Sequence, residues 1–306
     1  MMKASRVHGF GSPDVIVLED VPRPEPGPRE VLVRVSAAGV GPWDAWVRAG
    51  KSMLPQPLPL TLGADLAGHV QALGDGVTDF SVGDAVFGVT NPRFTGAYAE
   101  YAVASAGMLA RAPAGLDLVD AASLPVIGVT ALQMLFDHAH VQSGQRVLVH
   151  GAGGNVGACV VQLAALAGAY VIGTDIAPEV AHLRALGARE VLDTATTRVE
   201  EAVGPVDVVI DTVGGDVQRR SFSVLERGGT MVSSVSPPDR EQALQRGLVA
   251  TFMLVNVSSA SLCQLSELLG AGKLKTRIGA VLPLAEARAA HEMLEGARLS
   301  SKPPRK

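Results

Sequence analysis

Eight residues at 150–157, HGAGGNVG, hold four glycines between the apolar runs RVLV (146–149) and VQLAALAGAYVIG (161–173). A chain gives up side chains in such a region where the backbone turns too sharply for a Cβ, or where something large must come close. Ala152-x-Gly154-x-x-Gly157, with Gly153 inside it, has the spacing of a dinucleotide fingerprint. Gly154 would let the main chain approach a pyrophosphate. Gly157 would let the next helix pack tightly. The amides of Asn155 and Val156 would meet phosphate oxygens at the positive end of that helix. Asp175 ends the next apolar run, 18 residues beyond Gly157, close to the ~20 expected for an acid that binds a ribose. The bland alternatives are a tight turn without a ligand and an Asp that caps the helix before Pro178.

Asp175 also bears on which dinucleotide fits. A carboxylate accepts from both ribose hydroxyls. It would repel a 2′-phosphate by roughly 4 kcal/mol per unit charge at about 4 Å and an effective dielectric near 20, less where solvent screens it. No arginine follows in IAPEVAH (176–182), and Arg184 is the nearest. NADH is therefore expected over NADPH.

Other reactive side chains lack the partners that chemistry needs. His138-x-His140 follows Asp137 but has no cysteine nearby, and it reads as a solvated helix end, not a metal site. His150 reads as structural, and His69 falls on a strand. Cys159 has no histidine base in sequence and reads as a small buried filler. Two cysteines, Cys159 and Cys263, allow neither a disulfide framework nor a four-thiolate zinc site. The NVS at 256–258 is a glycosylation acceptor only in a secreted chain.

These residues need a scaffold, and the chain changes texture along its length. Residues 1–105 read mostly as short antiparallel strands: period-two alternation in VLVRVSA (31–37) and GAYAEYAV (96–103), punctuated by proline and glycine. PRPEPGPRE (22–30) and LPQPLPLTLG (54–63) read as extended loops. From about residue 121, strand-like runs alternate with helix-like ones. They include RVLVH (146–150), YVIGTD (170–175), HLRALGA (182–188), EVLDT (190–194), VDVVIDTVG (206–214), TMVSSV (230–235) and LVATFMLVNV (248–257). That pattern predicts a parallel sheet covered on both faces. Val156, Val160, Leu163 and Ala167 share one helical stripe, and so do Leu262, Leu265 and Leu269. A last helix is expected through LAEARAAHEML (284–294).

Composition excludes other classes. The chain has 306 residues and 47% hydrophobic content, enough for about two domains. A formal net charge of −4 argues against a nucleic-acid surface. The basic end SKPPRK (301–306) reads as a solvated tail. The apolar region 156–173 is broken by Gln162, Gly168 and Tyr170 and is no membrane span, and MMKASRVHGF is no signal peptide. A soluble cytoplasmic protein is expected.

In order along the chain, GVGPWDAWVRAG (39–50), PLPLTLGADLAG (57–68), VGDAVFG (82–88), GAYAEY (96–101), AASLPVIGVTAL (121–132), the glycine loop, LGAREVLD (186–193) and VDVVIDTVGG (206–215) resemble the medium-chain dehydrogenases/reductases, and within them the zinc-free quinone oxidoreductases related to zeta-crystallin. The resemblance implies an α/β chain: a Rossmann doubly wound parallel sheet over residues 122–267, and a GroES-like antiparallel β-barrel over 1–121 and 268–306. Zinc-dependent members carry cysteine at the position of Gly41 and His-Glu at Ala64-Asp65, so no tetrahedral zinc is expected here. Without a Lewis acid the acceptor must take hydride readily. A quinone or α,β-unsaturated carbonyl, a small molecule, spreads the incoming charge over conjugated atoms. Direct hydride transfer from NAD(P)H is therefore implied. The same scaffold admits an enoyl-thioester or aldehyde/ketone reductase, or a cofactor-binding redox sensor with little turnover.

The resemblance also supplies site residues. Asp44 and Arg48 match the family's D…R pattern, with a structural ion pair as the other reading. Trp46 stands near the family's Tyr and offers an indole N–H, with core packing as its alternative. Tyr98 offers a phenol. Thr130 matches a threonine beside the nicotinamide, though a helix threonine can instead bond back to its own turn. Val213 and Ser234 match positions that approach the cofactor. Many relatives are homodimers through the edge of the Rossmann sheet, which LVATFMLVNV could supply. Relatives often finish in an apolar strand that closes the barrel, and SSKPPRK does not continue that pattern.

Overall fold

A computed structural model describes residues 1–300, with side chains described to residue 296; the SKPPRK tail lies outside the described residues. The chain forms two compact units. One comprises Met1–Val126, Val257–Gly270 and the residues from Thr276 onward; the other comprises Ile127–Asn256 and Ala271–Lys275.

The first unit is antiparallel. Strands β1 (Met2–Val7), β2 (Val17–Val21), β3 (Glu30–Ala38), β4 (Leu60–Thr61), β5 (Asp65–Leu73), β6 (Ala85–Val89), β7 (Tyr101–Ser105) and β8 (Leu109–Arg111) make two sheets, ordered β2-β1-β4 and β7-β3-β5-β6-β8. The alternation expected in β3 holds from Val33 to Ser36, but Leu32 is buried together with Val31 and Val33. The register with β5 shifts between Leu32 and Val33 and again between Val35 and Ala37, and such bulges reset which face a side chain takes. The strand expected over 96–103 begins only at Tyr101. Residues 97 and 98 instead bond back to the loop before β5, Ala97 N to Gly63 O at 2.9 Å and Tyr98 N to Leu62 O at 2.8 Å. The helix Ser259–Gly270 belongs to this unit and buries Leu262, Leu265 and Leu269, as their spacing predicts. The last helix runs Ala287–Ser300.

The second unit is built on one parallel sheet of β9 (Arg146–His150), β10 (Tyr170–Asp175), β11 (Glu190–Asp193), β12 (Val206–Asp211), β13 (Leu225–Ser233) and β14 (Val249–Phe252), in the order β11-β10-β9-β12-β13-β14. All its pairings are parallel. Leu148, Ile172, Val206, Val209 and Met231 pack one core with Phe222 and Leu248. The helix Asn155–Leu166 buries Val160 and Leu163 from the expected stripe and also Cys159, Val161, Gln162 and Ala164, while Val156 and Ala167 are half-buried. LVATFMLVNV is a strand only over Val249–Phe252, because β13 ends where Ser233 pairs with Phe252 and an edge strand has no second partner. No helix among the described residues is long and apolar enough to cross a membrane.

Candidate functional site

The strand order reverses between β9 and β12, and crevices for ligands form at the carboxyl ends of strands beside such a reversal. The glycine loop sits there. Gly151 follows β9 with φ +68°, and a Cβ on it would lie 2.6 Å from Thr212 Oγ1. The amide of Gly154 donates to Gly151 O at 3.1 Å, closing the turn. At residue 157 a Cβ would come within 2.1 Å of Gly151 O, so the third glycine is required by the turn's own carbonyl. Gly154 meets only Gly151 O, at 3.3 Å, and is exposed, as is Asn155. Ala152 is wholly buried and its amide donates to Thr174 O at 3.1 Å. The helix Asn155–Leu166 begins with Gly154 as its N-cap, without a side-chain cap. Its first amides, Asn155 and Val156 among them, have no partner within the helix.

Asp175, at the end of β10, is folded onto this loop. Its Oδ2 accepts from the amide of Gly153 at 2.7 Å and its Oδ1 from the amide of Ile176 at 2.8 Å. A Cβ at residue 153 would sit 2.9 Å from that Oδ2. Each carboxylate oxygen has a second lone pair for another donor. Val213 is exposed on the loop after β12, and Ser234, half-buried after β13, donates its amide to Asp211 O at 3.2 Å. Thr130 is buried on the helix Pro125–Leu132. The parallel register therefore brings the glycine loop, Asp175, Val213 and Ser234 to the carboxyl end of the sheet.

Two polar groups lie beneath that end of the sheet: His150, read as structural from the sequence, and Asp211, which sequence reasoning missed. His150 is 1% exposed, between Thr174 Oγ1 at 3.0 Å and Ser221 Oγ at 2.7 Å. Burial lowers its pKa to about 4, so the ring is neutral. Asp211 is fully buried and accepts four hydrogen bonds. Its one sequence signal is an acid at the carboxyl end of the strand VDVVID.

In the first unit the four candidates separate into two environments. Trp46 is 41% exposed, while Asp44, Arg48 and Tyr98 are buried. Asp44 caps the helix Pro42–Arg48, accepting from the Gly41 amide at 2.8 Å. Burial raises its carboxyl to about 7, against the opposing pull of the Gly41 amide and the Tyr98 phenol. No hydrogen bond of good geometry joins Asp44 Oδ1 to Tyr98 Oη, and both atoms are buried; the phenol acts on the carboxyl through proximity. Asp65 accepts from the Val126 amide at 2.8 Å, and burial, then the charge of Asp44, raises it well above the ordinary carboxylate range. Tyr98 is raised too, by burial and then by the two aspartates; its ring lies where a Cβ on Gly63 would be, 2.2 Å from Cδ1.

Arg48 does not bond to Asp44. Its Nε donates to Gly11 O at 3.0 Å, Nη1 to His291 Nδ1 at 3.0 Å, and Nη2 to Glu295. Gly41 has its own reason: the Trp43 ring fills the space where a Cβ at 41 would stand, 2.2 Å away. Gly41 and Ala64 therefore offer no metal donor. Among the described residues no group of three or more His, Cys, Asp or Glu side chains is placed to hold a metal ion.

Comparison with known proteins agrees with this architecture. Residues 27–114 match the alcohol dehydrogenase GroES-like domain, and residues 186–302 match the zinc-binding dehydrogenase family. The chain is 34% identical to a quinone oxidoreductase of Sus scrofa, over 95% of this chain and 93% of that protein. Its fold is similar to that of a quinone oxidoreductase from Coxiella burnetii, with a TM-score of 0.91, 36% identity and 96% of each chain covered. It is also similar to Escherichia coli quinone oxidoreductase complexed with NADPH, with a TM-score of 0.86, 27% identity and 96% of each chain covered.

Proposed function

This chain belongs to the medium-chain dehydrogenase/reductase family, as an oxidoreductase of its quinone oxidoreductase group, and we propose that it reduces a quinone or an α,β-unsaturated carbonyl with NAD(P)H and without zinc. The observation that carries the reading is the Gly151–Gly157 turn, whose outer face is backbone at the start of a 12-residue helix. A pyrophosphate is expected there, since the amides of Asn155 and Val156, which have no partner within the helix, and the helix dipole both favour an anion. When bound, a reduced nicotinamide supplies hydride. The residues of this chain bind and orient: Asn155 and Val156 donate at the phosphates over the side-chain-free backbone of Gly153 and Gly154, Asp175 lies at the ribose, and Thr130, Val213 and Ser234 lie near the ring. The remaining acceptor capacity of Asp175 favours NADH over NADPH.

Trp46 is the candidate that meets the acceptor, because it presents an indole face. Asp44, Arg48 and Tyr98 position it by holding the helix Pro42–Arg48. Zinc has no place in this scheme: Gly41 and Ala64 lack donors, and Asp65 is engaged by the Val126 amide. A conjugated acceptor fits a metal-free site because it delocalises the incoming electron pair. With this reading go a closed GroES-like barrel in the first unit, a homodimer through the edge strand β14, and a cytoplasmic location.

The test is parallel titration with NADH and NADPH of native protein and Asp175→Ala, followed by turnover on a panel of quinones and enones with a chelator present. Binding of NADH ahead of NADPH, narrowed in the variant, and chelator-resistant turnover are expected. Failure to bind either dinucleotide would remove the proposal. A native preference for NADPH would remove the role given to Asp175.

A further inference from the structure

We propose that Asp211 is a positioning residue that hangs the loops after β12 and β13 on one buried carboxylate, with Gln218 as the bridge between them; its consequence for catalysis rests on the cofactor reading above. Asp211 ends β12, faces Ser233 of β13 in register, and is fully buried. Its Oδ1 accepts from the amides of Val213 at 3.0 Å and Gly214 at 2.8 Å. Its Oδ2 accepts from Ser233 Oγ at 2.9 Å and Gln218 Nε2 at 2.8 Å. Four donors satisfy a carboxylate fully, which a buried charge requires.

Both loops reach this one group. Ser233 Oγ accepts in turn from the amides of Val235 at 3.3 Å and Ser236 at 3.4 Å. Gln218, 5% exposed on the helix Gly215–Ser221, also donates to Ser236 O at 3.0 Å. The loop after β12 has no conformational preference of its own to fall back on: Gly214 and Gly215 stand at φ +76° and +66°, where glycine is freely mobile. A Cβ at 214 would lie 3.1 Å from Ser236 Oγ, so the two loops are also in contact. Val213 and Ser234, the residues read as flanking the nicotinamide, thus take their places from Asp211, Gln218 and Ser233. Rate is sensitive to such placement, since a shift of about 1 Å can cost about a hundredfold.

Gln218→Met keeps side-chain length and apolar stem and removes the donors; Asp211→Asn leaves one acceptor oxygen where four donors converge. Hydrogen exchange of the cofactor-free protein reads residues 212–216 and 234–236 separately. In Gln218→Met, exchange is expected to rise about fivefold or more in both segments together, the scale of one lost hydrogen bond, with the protein still folded and its melting temperature lowered by only a few degrees. The dinucleotide Kd should rise by a similar factor. Unchanged exchange in either segment of a folded Gln218→Met overturns the inference, whatever Asp211→Asn does. If native protein binds no dinucleotide, the cofactor reading fails while the exchange result still decides whether the loops are coupled.

Discussion

Arg48 Nη1 donates a 3.0 Å hydrogen bond to His291 Nδ1, a residue 243 positions away in sequence. Arginine only donates, so Nδ1 is the acceptor and the ring proton sits on Nε2. The same guanidinium holds Gly11 O and Glu295. Arg48→Met should therefore lower stability by about 2–4 kcal/mol, because buried acceptors lose a charged donor. Glu295→Gln should cost less, under about 1 kcal/mol, since the Glu295 side chain is 40% exposed. Urea unfolding at pH 7 compares the two; equal costs would show that the guanidinium is not the organising group.

His291 and His150 are both lowered to about 4, in each case chiefly by burial. The unfolded chain takes up protons near the ordinary histidine value of about 6.5, before the folded chain does. Stability from these two rings is present above that value and is lost as pH falls through about 4. His291→Phe should flatten this acid limb of a stability–pH curve. An unchanged limb between about pH 6.5 and 4 would refute the neutral assignment.

Asp44 works with the opposite sign. Its folded pKa of about 7 lies above its unfolded value, so its contribution is full at low pH and is lost as pH rises towards 7. Asp44→Asn should remove that loss and be at least as stable as native protein at pH 8. Trp43 and Trp46, the chain's two tryptophans, flank this carboxyl. Their fluorescence should titrate near pH 7 in native protein and be flat there in Asp44→Asn. A titration that survives the substitution belongs to another group.

A Cβ at residue 157 meets backbone, not a flexible side chain, 2.1 Å away. Gly157→Ala should therefore cost about 2 kcal/mol or more and weaken dinucleotide binding at least about tenfold, as the turn must open. Isothermal titration checks it, and native affinity in a folded variant would contradict the geometry.

Cys159 is buried and its thiol is pushed up to about 12, whereas Cys263 is exposed. A thiol reagent at pH 8 should label one cysteine in native protein and two after denaturation. Rapid labelling of both in the native state would show that the helix Asn155–Leu166 opens easily.

The sequence by itself determined what depends on neighbours along the chain. Glycine spacing, the apolar runs around it and the acid at 175 specify strand, turn, helix and strand, because each follows from local backbone freedom and hydrophobic period. The spacing of Leu262, Leu265 and Leu269 predicts a buried helical face for the same reason. Only the tertiary structure decided where polar side chains end. Asp44 and Arg48, one helical turn apart, look like an ion pair in sequence; Arg48 instead bonds His291 and Glu295, far along the chain, while Asp44 caps its own helix. Asp211 reads as one acid at a strand end until β13 and the helix Gly215–Ser221 bring four donors to it. A buried charge must find its partners wherever the fold supplies them, and sequence distance does not measure that.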